Sequence, residues 1–450
     1  MRRIAFLFLV AASLLGAAEG ATRPRYGGTL RVMLQSAPDS LELRSGGTPG
    51  DYWDAARIVA LIADNLVEID VATHAQPALA LTWQNDLNGK RWQFTLRRGV
   101  KFHDGTAASA ATIAQILGER HSEWIVRGAG DLLTIESDSP MPSLLAELAL
   151  PRNAILKRSA NGLPMGTGAF RFTDFQPGKT LRLAANEESW AGRPFADAVE
   201  IELGRSQRDQ AIALELGKTD LIGASPQAST ATSGRVPTSL SVELMAMVFT
   251  ANSKAQDARV REALALAIDR KPIQSVLLKG VGEPTASILP NWMTGYSRVF
   301  PAQAKLQRAK VVLADSRQPA LTLSYDPRDP QAQLIAERIA LNAREVGITL
   351  RVALSGVADV SLIRIVLPSS DPATSLREAA RELGLQQPLI HGSSVDDLYQ
   401  AERTLLDGHT VIPLFHLPVA SAPGARVRNW QPGPTGNWNI SDVWLEADSR

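Results

Sequence analysis

WQFTLRRGVKFHDGT, the stretch from Trp92 to Thr106, decides the fold of this 450-residue chain. Its first half alternates apolar and polar residues, with Trp92, Phe94 and Leu96 on one side. A period of two residues is typical of a β-strand that has one face on a core and the other in water. The stretch therefore predicts a half-buried strand, and the rest of the chain can be organised around it.

Signals on both sides of this strand predict its neighbours. Asn88-Gly89, just before it, is a strong hairpin signal, and residues 79–83 alternate in the same way. The two strands are therefore expected to pair. After them, Asp104-Gly105 turns the chain into a segment with helical spacing, which Ser109 can cap.

Two later segments also have predictable elements. Residues 206–216 are expected to form a helix that carries Ile212 and Leu216 inward and ends at Gly217. Residues 321–326 alternate as a strand, and residues 330–354 are a helix followed by a strand. Such strand-helix-strand order favours a parallel sheet covered by helices.

Composition limits the classes of partner and chemistry. The chain has 47 Lys+Arg against 46 Asp+Glu, a net charge of +1, and no stretch concentrates the basic residues, so a nucleic-acid partner is not expected. It has no cysteine. Disulfides, thiolate metal sites and the acylated cysteine of a lipoprotein are thereby excluded.

The N-terminus has the three-part pattern of a secretory signal peptide. Two arginines precede an apolar run from Ile4 to Leu15, and small residues follow at Gly16, Ala17 and Ala18. The run is shorter than the roughly 20 apolar residues of a membrane-spanning anchor, which is the alternative. We expect residues 1–21 to be a signal peptide cleaved near 18–21, and the mature protein to be periplasmic.

The opening stretch resembles the signature of the bacterial extracellular solute-binding proteins, family 5, which serve oligopeptide, dipeptide and nickel ABC importers. Two later blocks are similar to the same family: residues 165–197, which contain Gly166-Thr167-Gly168, and residues 252–270, which contain VREALALAIDR. The glycine pair lacks the lysine of a phosphate-binding loop, so we interpret it as backbone geometry. The opening stretch is expected to build scaffold and not to touch ligand.

The resemblance implies an α/β fold of the periplasmic-binding-protein type (type II, cluster C), with two lobes around a hinge plus an extra N-terminal subdomain. The length suits two or three domains. The expected division is lobe I at 22–46, 155–245 and 415–450, a peripheral subdomain at 47–154, and lobe II at 246–414. The chain is expected to cross between lobes near Met245 to Asn252 and near Val411 to His416.

In such proteins the lobes close over the ligand, so candidate ligand-binding residues lie near the crossings and in the loop after the first strand. The candidates are Ser36, Asp39, Trp292, Tyr296, Arg364, Asp371 and His416.

Each candidate has an alternative interpretation. Arg364 lies in an apolar strand and either pairs with a buried carboxylate or grips a ligand carboxylate. Asp371 is either a helix cap or a contact. Trp292 and Tyr296 either stack on a ligand or pack in a core. Peptide binders of the family hold the ligand ammonium with an aspartate where this chain has Pro368, so ordinary peptides are disfavoured.

The expected function is that of a monomeric receptor that binds a peptide-like or other small solute and passes it to the permease subunits of an ABC importer. The six histidines show no metal-ligand pair at helical spacing, and no metal or cofactor is expected. There is no GxSxG motif, and no catalytic residue is assigned. The alternatives are an exported sensor or chaperone on the same fold, or a periplasmic hydrolase.

Overall fold

The computed structural model describes residues 23–43, 49–159, 162–226, 229–230, 234–296, 300–314, 316, 320–354, 358–390 and 394–446. The predicted signal peptide, residues 1–21, lies outside these ranges. Within them, no helix is long and apolar enough to span a bilayer.

Helices are distributed along the whole described chain. They are α1 (Pro49–Ile62), α2 (Ala110–Arg120), α3 (Leu144–Leu148), α4 (Gln207–Glu215), α5 (Ala258–Ala267), α6 (Arg270–Pro272), α7 (Asn291–Thr294), α8 (Leu306–Leu313), α9 (Ala332–Glu345), α10 (Pro372–Glu382) and α11 (Val395–Leu406). Pro151–Asn153 forms a 3-10 turn and Ile273–Leu277 a π-helical turn.

The strands are β1 (Thr29–Met33), β2 (Val67–Ile69), β3 (Ala75–Pro77), β4 (Ala80–Asn85), β5 (Arg91–Leu96), β6 (Ile125–Ala129), β7 (Leu132–Glu136), β8 (Lys157–Arg158), β9 (Pro164–Met165), β10 (Phe170–Gln176), β11 (Thr180–Ala185), β12 (Ala198–Glu202), β13 (Leu221–Ala224), β14 (Ser229–Thr230), β15 (Gly234–Arg235), β16 (Thr238–Phe249), β17 (Glu283–Pro284), β18 (Leu321–Tyr325), β19 (Leu350–Ala353), β20 (Val360–Val366), β21 (Val411–Pro423), β22 (Val427–Arg428) and β23 (Trp444–Leu445).

One mixed sheet runs through the molecule in the order β10-β11-β12-β1-β13-β21-β16-β20-β18-β19, with β17 paired to β21. Its two longest strands, β16 and β21, pair antiparallel in the middle. We call the side with β1 and β10–β13 the first lobe and the side with β18–β20 the second lobe. Each lobe contains parallel pairs, β1 with β12 and β18 with β19.

The first-lobe core forms where the apolar faces of β1 and β10–β12 meet α1. Leu30, Phe170 and Val199 are buried there together with Ile58 and Ile62 of α1. The predicted peripheral subdomain starts at residue 47 and therefore includes α1. The buried face of α1 nevertheless packs into the first-lobe core.

A four-stranded sheet, β4-β5-β7-β6, forms a separate layer with its own core. β4 and β5 form the predicted hairpin, with Trp83 opposite Phe94, and Gly89 adopts a φ of 65° in the turn. Phe94 is fully buried. Ser109 caps α2 by accepting a hydrogen bond of 3.2 Å from the Thr112 N–H, as predicted. The opening stretch is therefore scaffold.

The second lobe contains the predicted strand-helix-strand unit. β18 and β19 are parallel, and α9 between them buries Ile335 and Ile339 against Leu321 and Leu323. Such a crossover places α9 over one face of the sheet. The chain segment between β18 and α9 is thereby held at the carboxyl end of a strand.

The orientation of α4 differs from the prediction. Ile212 and Leu216 are expected to point inward, yet they are 44% and 63% exposed. The helix instead buries Gln210, whose amide donates to the Arg205 carbonyl and accepts from the Gly223 N–H. Because these are backbone partners of a buried amide, they set the rotation of the helix against β13. The predicted end of the helix at Gly217 is confirmed, with a φ of 65°.

The glycine pair before β10 lies against the end of α1. A Cβ on Gly166 would lie 2.1 Å from the Ile62 carbonyl oxygen, and the Gly168 N–H donates to the same oxygen at 3.0 Å. Only a residue without a side chain allows this approach. The interpretation of the motif as backbone geometry therefore fits the structure.

We expect Gly166→Ala to lower the free energy of unfolding by about 1–3 kcal/mol or more, because the added methyl group meets backbone atoms that cannot move aside. Gly118→Ala in α2 is the matched control, since nothing lies within 4 Å of its Cβ position. This control is expected to raise stability by about 0.5–1 kcal/mol. Urea denaturation measures both, and equal midpoints for the two variants would contradict the packing argument.

Candidate functional site

A cavity of about 660 Å³ lies between the two lobes. The first lobe contributes residues 34–36 after β1, the start of α1, and residues 223–226 at the end of β13. The second lobe contributes β20 and residues 324–332 between β18 and α9, and the middle strands contribute parts of β16 and β21. Loops at the carboxyl ends of strands are the usual ligand-binding positions of open α/β sheets.

The first-lobe wall carries a buried ion pair. Nη1 of Arg57 lies 3.1 Å from Oδ1 of Asp54, one helical turn away on α1. The guanidinium lies 5.3 Å from the ring centroids of Trp53 and of Trp438. Burial lowers the pKa of Arg57, and the charge of Asp54 acts against this. The positive charge of Arg57 is therefore already compensated within the protein.

An arginine stands between two carboxylates where the second-lobe wall meets the middle strand β16. Nη1 of Arg364 lies 3.0 Å from Oε2 of Glu243, and its Nε lies 2.8 Å from Oδ2 of Asp329. Burial acts to lower the pKa of Arg364, but the charges of Glu243 and Asp329 outweigh it and raise that pKa. Burial also raises the pKa of Glu243, against the effect of Arg364. The single guanidinium of Arg364 therefore pairs with two carboxylates.

Another ion pair, with one arginine and one carboxylate, lies at the end of β18. Arg328 binds Asp326 with two nitrogens, Nε at 3.0 Å from Oδ1 and Nη2 at 2.9 Å from Oδ2. The Gln35 amide of the first lobe donates to the carbonyl of Arg328. This contact joins the two walls across the cavity, so the lobes are close together in the structure.

Two of the seven predicted site residues, Ser36 and Arg364, line this cavity. Ser36 is buried, and its hydroxyl donates to Oδ2 of Asp54. Both alternatives for Arg364 contain a correct element, because it faces the cleft and also pairs with buried carboxylates. In the structure its ion pairs are with two protein carboxylates, Glu243 and Asp329.

Trp292, Asp371 and Asp39 lie away from the cavity lining. The Trp292 Nε1–H donates to the Ser241 carbonyl at 3.2 Å, and its ring packs against the second-lobe core. Asp371 accepts from the Thr374 N–H at 2.8 Å and is the N-cap of α10. Asp39 is exposed in the loop after β1. For Asp371 the structure therefore supports the helix-cap alternative.

Tyr296 and His416 belong to a buried cluster around Glu402 and outside the cavity lining. The Glu402 carboxylate accepts from the Ile288 and Leu289 N–H groups at 2.5 and 2.9 Å and from the Tyr296 hydroxyl. Nε2 of His416 donates to the Ile288 carbonyl at 2.9 Å. Burial lowers the pKa of His416 to about 4, so its ring is neutral. These groups hold the 288–289 backbone in place.

Sequence reasoning missed most of the charged lining: Asp54, Arg57, Glu243, Asp326, Arg328 and Asp329. One usable signal was a charged residue within an apolar pattern, as with Glu243 in VELMAMV. Another was the segment Asp326 to Pro330, which is rich in charge and follows a predicted parallel strand. In the part of the chain that the structure describes, no group of three or more His, Asp or Glu side chains is arranged to hold a metal ion.

The family model "Bacterial extracellular solute-binding proteins, family 5 Middle" matches residues 74–117 and 130–360, more than half of the chain. The chain belongs to this family. One relative is the probable di/tripeptide-binding protein 5 of Pseudomonas aeruginosa, which is 23% identical over 98% of this chain and 99% of the relative. The predicted family is therefore confirmed.

Solved structures agree with the fold. NikA from Staphylococcus aureus in complex with Ni(L-His)2 gives a TM-score of 0.80 at 18% identity, covering 93% of this chain and 100% of the other. A dipeptide-binding protein from Pseudoalteromonas in complex with Met-Leu also gives 0.80, at 17% identity and the same coverage. The predicted fold class, an α/β periplasmic-binding-protein fold, is confirmed.

Glu402 is expected to make stability depend on pH. Burial raises its pKa from 4.5 to about 7 in the folded state. The folded protein therefore binds this proton more tightly than the unfolded chain, so the stability contribution of Glu402 falls as pH rises from about 4.5 to about 7. As pH rises over this range, the unfolding free energy of wild type minus that of Glu402→Gln should fall by up to roughly 3 kcal/mol.

Thermal and urea unfolding at stepped pH values measure this difference. Tyr296→Phe is a second variant, because it removes a hydroxyl that lowers the pKa of Glu402 and should move the transition to higher pH. Parallel pH profiles for wild type and Glu402→Gln would show that Glu402 does not titrate in this window.

Proposed function

We propose that this family 5 protein captures a small solute between its lobes and delivers it, chemically unchanged, to the permease subunits of an ABC importer. The observation that carries the proposal is the cavity of about 660 Å³ with one wall from each lobe. Ligand pockets of roughly 300–1,000 Å³ enclose small molecules. Closure of two walls removes water from the solute and makes the closed shape a signal of occupancy.

The paired strands β16 and β21 support a hinge between the lobes. They run through the middle of the sheet, and both also line the cavity. We keep the predicted division into lobe I, lobe II and a peripheral subdomain as part of this proposal, with α1 assigned to lobe I. A rotation about β16 and β21 would separate the contact between Gln35 and Arg328.

The cellular setting is also part of the proposal. Members of the family are periplasmic or extracellular, and residues 1–21 have the pattern of an export signal. We propose a periplasmic, monomeric receptor. The relatives are solute-binding proteins and not enzymes, and no arrangement of described residues favours a hydrolase. The solutes named for relatives, peptides and Ni(L-His)2, are small and derived from amino acids, so we propose a solute of this size class.

A solute that binds in this cavity should copurify with the protein and stabilise it. Native purification followed by mass spectrometry of the released small molecules, with a thermal shift on adding them back, is the measurement. Ser361→Trp, on the second-lobe wall, should abolish the thermal shift because the indole occupies the cavity. Gln333→Trp on the exposed face of α9 is the control and should keep the shift.

Release of a hydrolysis product would support the hydrolase alternative. A thermal shift that survives in Ser361→Trp would place the solute outside this cavity.

A further inference from the structure

The charges on the cavity wall do not balance. Among the described residues that line the cavity, the carboxylates are Asp54, Glu243, Asp326 and Asp329, and the guanidinium groups are Arg57, Arg328 and Arg364. No lysine or histidine stands among these described lining residues. Four negative groups therefore face three positive groups.

The pairing shows where the surplus lies. Arg57 has Asp54 and Arg328 has Asp326, one carboxylate for each cation. Arg364 alone carries two, Glu243 and Asp329. The excess negative charge is therefore localised around Arg364, where the second-lobe wall meets β16.

The surplus carboxylate is poorly solvated. The side chains of Glu243 and Asp329 are 19% and 20% exposed, and that of Arg364 is 26% exposed. A solute that fills the cavity removes water from them. A negative charge that loses water without a compensating partner is costly, so a solute that supplies one positive group here binds with a smaller desolvation penalty.

The same pairing argues against an anionic solute. Every guanidinium among the described lining residues already has a carboxylate within 3.1 Å. A ligand carboxylate would have to compete with these pairs inside a closed cleft, where like charges repel strongly.

We propose that the cleft selects solutes with a net positive charge and holds their cationic group at Glu243 and Asp329. This inference rests on the proposed function and names the solute class of the same site. Leu362, Ile363 and Val366 of β20 line the cavity next to Arg364 and provide apolar contact for the uncharged part of such a solute. A protonated amine or a guanidinium on a short apolar body has this chemistry.

Three probes of matched shape test the charge preference: the dipeptide Met-Leu, its C-terminal amide and its N-acetyl derivative. Their net charges near pH 7 are zero, +1 and −1. Isothermal titration with the full mature protein at about 0.15 M salt is expected to give the order amide, dipeptide, N-acetyl derivative. The amide should bind at least tenfold more tightly than the N-acetyl derivative.

Glu243→Gln is expected to reduce amide binding at least tenfold while binding of the N-acetyl derivative stays equal or improves. Asp329→Asn is the second variant and should act in the same direction, which keeps the test valid if one variant is unstable. Glu337→Gln, an equal charge change on the exposed face of α9, should leave all three affinities unchanged.

Equal or tighter binding of the N-acetyl derivative would overturn the charge preference and leave the receptor function standing. An amide preference that persists in both Glu243→Gln and Asp329→Asn would overturn the assignment of these two residues. If no probe binds and no solute copurifies, the proposed function fails, and this inference fails with it.

Discussion

The backbone pairing of β16 with β21 is the constraint on which the rest of the structure depends, because it joins the strands of the first lobe to those of the second lobe in one sheet. The pairing is irregular: its register shifts three times, between Thr238 and Ser241, between Ser241 and Glu243, and between Met245 and Ala246. Irregular pairing bends a strand and changes the direction of its side chains. Glu243 lies between two of these shifts and faces the cavity, so the joint and the site share the same few residues.

The joint is supported from the second lobe by Arg270. Pro413 interrupts the hydrogen-bond ladder of β21 because it has no N–H, and its carbonyl accepts from Nε and Nη2 of Arg270 at 3.2 and 2.8 Å. Within the described residues no carboxylate pairs with this arginine, and burial lowers its pKa to about 10. The buried guanidinium thus satisfies the Pro413 carbonyl and fixes the position of β21 at this residue.

Much of the scaffold could be predicted from the sequence because it follows from local periodicity and turn chemistry. The hairpin through Gly89, the cap at Ser109 and the parallel unit around α9 depend on residues close to one another in the chain. The rotation of α4 could not be predicted, since it depends on hydrogen bonds of Gln210 with the Arg205 carbonyl just before the helix and with the Gly223 N–H of β13. Hydrophobic spacing alone placed Ile212 inward.

The site was harder to predict for the same reason. Ion pairs such as Arg364 with Glu243 join positions 121 residues apart, and no local sequence pattern predicts such a pair. Tyr296 and His416 were plausible from residue type, but their polar atoms are used by Glu402 and the Ile288 backbone. The resemblance to the family identified the fold and the cleft, and it did not identify which side chains are free to meet a solute.

The position of the Arg364 cluster has a consequence for the order of events. Arg364 on β20 lies opposite Met245 of β16, two residues from Glu243, and Asp329 lies in the loop between β18 and α9. The ion pairs of Arg364 therefore connect the second lobe to the middle strand β16, and in the proposed opening they keep this cluster together on one side of the cleft. A solute that enters the open cleft would first contact the ion pairs of Arg364, which are already formed. It would contact α1 and its aromatic neighbours only after the lobes close. Opposite sides of the cleft would then control the first contact with the solute and its retention after closure.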